Sequence, residues 1–90
     1  MQLNERLARE VRAAAEHIAS LHNGFVPGTD LAQALIRKSI PGFEGVTEAG
    51  MSKHVQNLVR ISTVHRRLDG GRRARGYPLS DLVSALDALE

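Results

Sequence analysis

The sequence predicts one mostly α-helical domain that carries a single β-hairpin near its C-terminal end. Four segments repeat apolar residues every three or four positions, which is the period of helices with one buried face. Between the third and fourth segments, a stretch that opens with β-branched residues contains a Gly-Gly pair, which is typical of two strands joined by a tight turn. A chain of 90 residues supports one modest core, so we expect no second domain.

The first predicted helix covers residues 1–23 and has an apolar stripe along one face. It ends at Asn23 and Gly24, because glycine readily adopts the left-handed conformation that closes a helix. The next residues, 25–28, form a short extended link, since Val26 precedes a proline and is therefore disfavoured in a helix.

The second predicted helix covers residues 29–39, with Gly28 or Thr29 as its cap. It stops before Pro41, because proline cannot donate the hydrogen bond that a continuing helix needs. A turn-rich loop follows, and Phe43 is one of its apolar anchors.

The third predicted helix, residues 47–61, begins either at Thr47 or after Gly50 with Ser52 as its N-cap. Its inward face is apolar and consists of Met51, Val55, Leu58 and Val59. Its solvent face has no acidic residue and consists of Lys53, His54, Gln56, Asn57 and Arg60. Amide side chains bond adenine edges in the major groove of DNA, cationic ones bond guanine edges, and a helix fits that groove. An ordinary surface helix shows a similar polar face, so the charge of the next segment decides between the two interpretations.

The predicted hairpin covers residues 62–79. With Gly70-Gly71 as a two-residue turn, Val64 pairs with Tyr77 near the base, where both can join the core. The same register places Arg66 directly opposite Arg75.

Positive charge is concentrated in this part of the chain. Residues 53–75 carry seven basic side chains and one acid, whereas residues 1–52 carry five bases and six acids, and residues 76–90 carry three acids and no base. Five arginines stand in the ten residues around the turn, namely Arg66, Arg67, Arg72, Arg73 and Arg75. Like charges that face each other across strands are destabilising, and the planar guanidinium group suits phosphate oxygens. The cluster therefore favours a polyanion as partner over the alternative of a solvated loop.

The order of the elements, together with the segment Gly50-Met51-Ser52-Lys53-His54-Val55, resembles the winged helix-turn-helix family. That family opens its recognition helix with a turn glycine, an apolar residue and a serine cap. The resemblance covers residues 25–79. It implies that the helix from Ser52 to Arg60 lies in the major groove and that the hairpin is the wing, in contact with phosphates or the minor groove.

The expected function is therefore sequence-specific binding of duplex DNA, as a small transcriptional regulator, most simply a repressor of phage, plasmid or bacterial type. The last predicted helix, residues 80–90, is capped by Ser80 and Asp81 and carries Leu86 and Leu89. Either terminal helix could pair with a second copy, so we expect a homodimer. Two alternatives stay open: a protein-interaction module that docks an acidic partner through the hairpin, and an accessory of DNA replication or packaging.

Several other classes are disfavoured by the composition. The absence of cysteine excludes disulfides, cysteine-ligated zinc and thiol nucleophiles. His17 and His22 are five residues apart and do not share a helix face, so we expect no metal site. No phosphate-binding glycine loop opens a helix, and we expect neither an enzyme nor a cofactor nor a small-molecule ligand. No apolar run is long enough to span a membrane, which favours a cytoplasmic protein.

Overall fold

The computed structural model describes residues 3–68 and 70–89. Within these residues the fold is mostly helical, with four helices and a three-stranded antiparallel sheet. The elements, in chain order, are α1 (Leu3–Leu21), β1 (Phe25–Pro27), α2 (Gly28–Arg37), α3 (Glu48–Val59), β2 (Val64–Arg67), β3 (Arg73–Pro78) and α4 (Leu79–Asp87). Four positions lie outside the described residues. They are residues 1 and 2 of the first predicted helix, Asp69 in the predicted turn, and residue 90 of the last predicted helix.

The sheet contains a strand that the sequence did not predict. The link expected after the first helix is β1, which pairs with β3 and places Val26 opposite Tyr77. The strand order is β1-β3-β2, so the last strand in the chain is the central one. Proline made this segment extended, as expected, but its pairing partner lies about 50 residues further along the chain, where no local pattern points to it.

The start of α3 is fixed by Thr47, whose hydroxyl accepts a hydrogen bond from the Gly50 N–H at 3.1 Å. This is the first of the two starts considered for this helix. Ser52 lies inside α3 rather than at its cap, so the cap suggested by the family resemblance is not the one observed. The helix ends at Val59, because Arg60 adopts the left-handed conformation with φ 55° and donates its N–H to the Gln56 carbonyl.

Two helices begin directly after a proline. Pro27 precedes α2 and Pro78 precedes α4, and neither helix has a side-chain cap. The caps expected at Gly28 or Thr29 for the second helix, and at Ser80 and Asp81 for the last, are therefore wrong. Each proline is the last residue of a strand, and its extended backbone, with ψ 132° at Pro27 and 138° at Pro78, leads directly into the helix.

The core lies between the helices and one face of the sheet. Its apolar residues come from all four helices, β1, β3 and the loop before α3; the largest that are fully buried are Leu7, Val11, Val26, Leu31, Leu35, Met51, Val55, Leu82 and Leu86. Phe25 of β1 is also fully buried. Tyr77 joins this core as expected, whereas Val64 is 41% exposed and does not. No helix in the described part of the chain has the length and apolar character needed to cross a bilayer.

Candidate nucleic-acid interface

The register of the hairpin differs by one residue from the expectation. His65 lies opposite Arg75 and Arg67 lies opposite Arg73, while Arg66 lies opposite Ala74. The predicted pairs of Val64 with Tyr77 and of Arg66 with Arg75 are therefore wrong. The turn closes with the Leu68 N–H donating to the Arg72 carbonyl at 2.6 Å, which gives a three-residue loop in place of a two-residue one.

This register sorts the basic side chains between the two faces of the hairpin. Successive strand residues point to opposite faces, and directly opposed residues share a face. One face therefore carries four basic side chains, His65, Arg67, Arg73 and Arg75, and it is also the face of the buried Tyr77. His65 was not among the predicted binding residues, because its place on this face follows from the register alone.

Arg66 points away from that cluster. Its guanidinium lies over the ring of Phe25 on β1, with its central carbon 4.9 Å from the ring centroid. This cation–π contact lies on the face of the sheet opposite Tyr77 and separates Arg66 from Arg67, Arg73 and Arg75. Arg72 is exposed at the turn, outside both strands.

The hairpin arginines have no carboxylate partner among the residues that the structure describes. Arg66, Arg67, Arg72, Arg73 and Arg75 are exposed, and within residues 3–68 and 70–89 none forms an ion pair with a carboxylate. Arg75 Nη2 and His65 Nε2, which both belong to this hairpin, lie 3.4 Å apart. The cluster is therefore a dense, solvent-facing positive surface.

The exposed face of α3 agrees with the helical period. Lys53, His54, Gln56 and Asn57 are exposed, Ser52 is half-buried, and the four residues predicted to face inward are buried. The His54 ring packs edge-on against Phe43 at 5.1 Å between centroids, which ties it to the loop before the helix. The central exposed ridge of α3 therefore consists of Lys53, Gln56 and Asn57.

The helix and the hairpin meet at a cleft of about 200 Å³. Ser52 and Gln56 line it from α3, Arg75 and Tyr77 line it from β3, and Gly28 lines it from the start of α2. Residues predicted to bind DNA from the third helix, Ser52 and Gln56, thus lie beside Arg75, which was predicted to bind DNA from the hairpin. Asn57 and Arg60 do not line this cleft; they line a larger groove on the other flank of α3.

The only strongly buried ionisable group near the cleft is the Tyr77 phenol, considering the residues that the structure describes. Burial raises the pKa of Tyr77 above its ordinary value of 10.0, so the hydroxyl stays protonated at neutral pH. In the same described set, no three histidine, aspartate or glutamate side chains lie close enough to hold a metal ion.

The fold and this surface define a small helical domain whose three-stranded sheet presents arginines beside a polar helix. No protein-family model, curated protein or solved structure matches this chain.

Proposed function

We propose that this protein binds duplex DNA in the manner of a winged helix-turn-helix domain, with α3 in the major groove and the β2–β3 hairpin on the phosphate backbone. The observation that carries the proposal is the face of the hairpin with three arginines and His65, which lies beside Ser52 and Gln56 of α3. In the cell, the protein would act as a small transcriptional regulator of phage, plasmid or bacterial type, by occupying a site on DNA without performing chemistry.

The electrostatics of the hairpin support a polyanionic partner. Arg67 and Arg73 are directly opposed across the strands, and no carboxylate among the described residues neutralises either. Two unit charges about 4 Å apart repel by about 1 kcal/mol in water, and by more where solvent is partly excluded. A phosphate group between such arginines replaces this repulsion by two charge-assisted hydrogen bonds.

The shape and chemistry of α3 support contact with bases. The major groove is about 12 Å wide and accepts an α-helix. Gln56 and Asn57 can each form a bidentate pair with adenine, and Lys53 can bond guanine. Because Gln56 shares a cleft with Arg75, a helix placed to read bases would bring the hairpin onto the adjoining phosphates.

The proposal includes a homodimer formed through the terminal helices. Leu3 on α1 and Leu89 just after α4 are 46% and 51% exposed, which leaves apolar surface available at both ends of the chain. Leu86 is only 2% exposed and packs within its own chain, so it does not contribute to this surface. Sedimentation of the intact protein at micromolar concentrations tests this part separately, and a monomer there would remove the dimer without affecting DNA binding.

The decisive experiment is a titration of labelled random duplex at several salt concentrations. The log of affinity against the log of salt falls with a slope of about −0.9 for each phosphate neutralised. Replacing Arg67, Arg73 and Arg75 together by glutamine should therefore flatten the slope by about 2.7 if all three contact phosphate. Arg37→Gln is the matched control, because Arg37 is exposed at the far end of α2, roughly 9–14 Å along the helix from the residues of α2 that line the cleft.

Two results would contradict the proposal. One is a slope near zero for the wild type, and the other is an unchanged slope for the triple variant. Either would favour a module that docks an acidic protein, whose affinity depends more weakly on salt. Selection from a random duplex pool then separates a regulator, which enriches a defined site, from a replication or packaging accessory, which enriches none.

A further inference from the structure

We infer that the protein grips the duplex on both flanks of α3, and that Arg9 and Arg60 contact the phosphate strand opposite the one that the hairpin contacts. The inference rests on the proposed DNA binding and adds to it a second phosphate site, on α1 and at the C-terminal end of α3. The site is separate from the hairpin. Arg60 was predicted to face DNA from the third helix, whereas no residue of α1 was predicted to bind DNA.

Side chains on the two flanks of α3 line two different recesses. Residues four apart on a helix share a flank, whereas successive residues are separated by about 100° around the axis. Ser52 and Gln56 accordingly line the cleft shared with Arg75. Asn57, one residue further, and Arg60 line the groove on the other flank. The exposed ridge of α3 thus stands between two recesses.

The groove beside Asn57 and Arg60 measures about 890 Å³ and lies between α1, the end of α3 and α4. Leu58 and Leu86 form part of its apolar floor. Arg9 and Arg60 are both exposed in it, and neither pairs with a carboxylate in the described part of the chain. Glu5 is the one acid among its lining residues.

A third arginine in the groove is already engaged. Arg12 forms an ion pair with Asp87 on α4, which fixes its guanidinium against the helix. We therefore assign the phosphate contacts to Arg9 and Arg60 and not to Arg12. The Arg12–Asp87 pair joins α1 to α4 and so keeps two walls of the groove together.

The width of the major groove brings phosphates to both flanks of α3 in the proposed complex. An α-helix with its side chains is about 10–12 Å across, close to the width of the major groove, so both sugar–phosphate walls lie against the helix flanks. The hairpin supplies cations on one flank only. The C-terminal end of α3 carries the negative pole of the helix dipole, which repels phosphate unless cations offset it. Arg60 caps that end of α3, and Arg9 lines the groove beside it.

The test uses the full chain and three groups of variants. Arg9→Gln, Arg60→Gln and the double variant remove the second site, Arg67→Gln with Arg73→Gln removes hairpin contacts, and Arg37→Gln is the control. Each groove substitution should lower affinity for random duplex about tenfold and flatten the salt slope by about 1. Arg60→Lys, which keeps the charge, should retain most of the slope. Circular dichroism and thermal melting confirm that each variant is folded.

Phosphate ethylation interference on a selected site locates the contacts. The groove variants should lose interference at phosphates on the opposite side of the major groove from those lost in the hairpin variants. If the hairpin variants weaken binding while the groove variants match Arg37→Gln, the second site is refuted and the proposed function stands. The second site is also refuted if the groove variants and the hairpin variants lose interference at the same phosphates, on the hairpin side of the major groove. If the wild type shows no salt-dependent binding, the proposed function itself fails.

Discussion

Gly76→Ala should strongly destabilise the fold, because this glycine lets β1 approach the centre of the sheet. A Cβ atom at position 76 would lie 2.1 Å from the Val26 carbonyl oxygen and 2.8 Å from the Pro27 Cα. Carbon–oxygen contacts between neighbouring strands are normally about 3.3–3.6 Å, so β1 would have to move by more than 1 Å. The obstructing atoms belong to the backbone, and no side-chain rotation relieves the clash.

The size of the effect follows from what moves with β1. Overpacking a well-packed site costs about 1–3 kcal/mol, and each buried backbone hydrogen bond that is weakened adds about 1 kcal/mol. Displacement of β1 also disturbs the packing of the buried side chains of Phe25 and Val26. We expect a loss of about 3–4 kcal/mol from a total stability of roughly 5–13 kcal/mol for a domain of this length.

Urea unfolding followed by circular dichroism measures this loss. Gly28→Ala is the matched control, because a Cβ there meets only the Arg75 carbonyl oxygen at 3.4 Å, an ordinary contact. The control should unfold within about 1 kcal/mol of the wild type. If Gly76→Ala and Gly28→Ala have the same unfolding free energy, β1 does not pack against β3 as closely as described, and the placement of the hairpin beside α3 loses its support.

Three further predictions concern the helix, its cap and the cleft. Gln56→Ala or Asn57→Ala should lower the binding free energy by about 1–3 kcal/mol on a selected DNA site and by less on random duplex, as measured by parallel titrations. Equal losses of binding free energy on both DNAs would show that α3 does not contact bases specifically. Thr47→Ala should lower the free energy of unfolding by about 1 kcal/mol, because the Gly50 N–H loses its acceptor, and a urea midpoint equal to the wild type would contradict this. The pKa of Tyr77 in the folded state lies above the unfolded value near 10.0, so the contribution of its neutral phenol to stability is complete below that pH and is lost as the pH rises through the folded pKa. Tyr77→Phe should therefore reduce the loss of unfolding free energy at alkaline pH. Identical profiles of unfolding free energy against pH for the variant and the wild type would refute this prediction.

The helices were predictable from the sequence because the information that defines them is local. The spacing of Met51, Val55 and Leu58 specified which face of α3 is buried, and the structure agrees. The choice between Thr47 and Ser52 as the cap was not decidable, because both residues stand before a plausible run of helical positions and both can accept the capping hydrogen bond.

The sheet was only partly predictable because its pairings are not local. Asp69-Gly70-Gly71 admits either a two-residue or a three-residue loop, and a shift of one residue exchanges the two faces of a strand. This shift decides whether Arg66 or Arg67 joins the cationic face with Arg75. The pairing of β1 with β3, on which the placement of the whole hairpin depends, has no signature in either segment alone.

The central position of β3 has a consequence for folding during synthesis on the ribosome. Both edge strands of the sheet, β1 and β2, are synthesised before the strand that joins them. During synthesis, which adds about 5–20 residues each second, α1 to α3 can collapse together early because their contacts are closer in sequence. The sheet cannot form until β3 has left the exit tunnel, so a nascent chain has no assembled cationic face. The surface proposed to bind DNA is thus completed only after α1 to α3 and both edge strands have been synthesised.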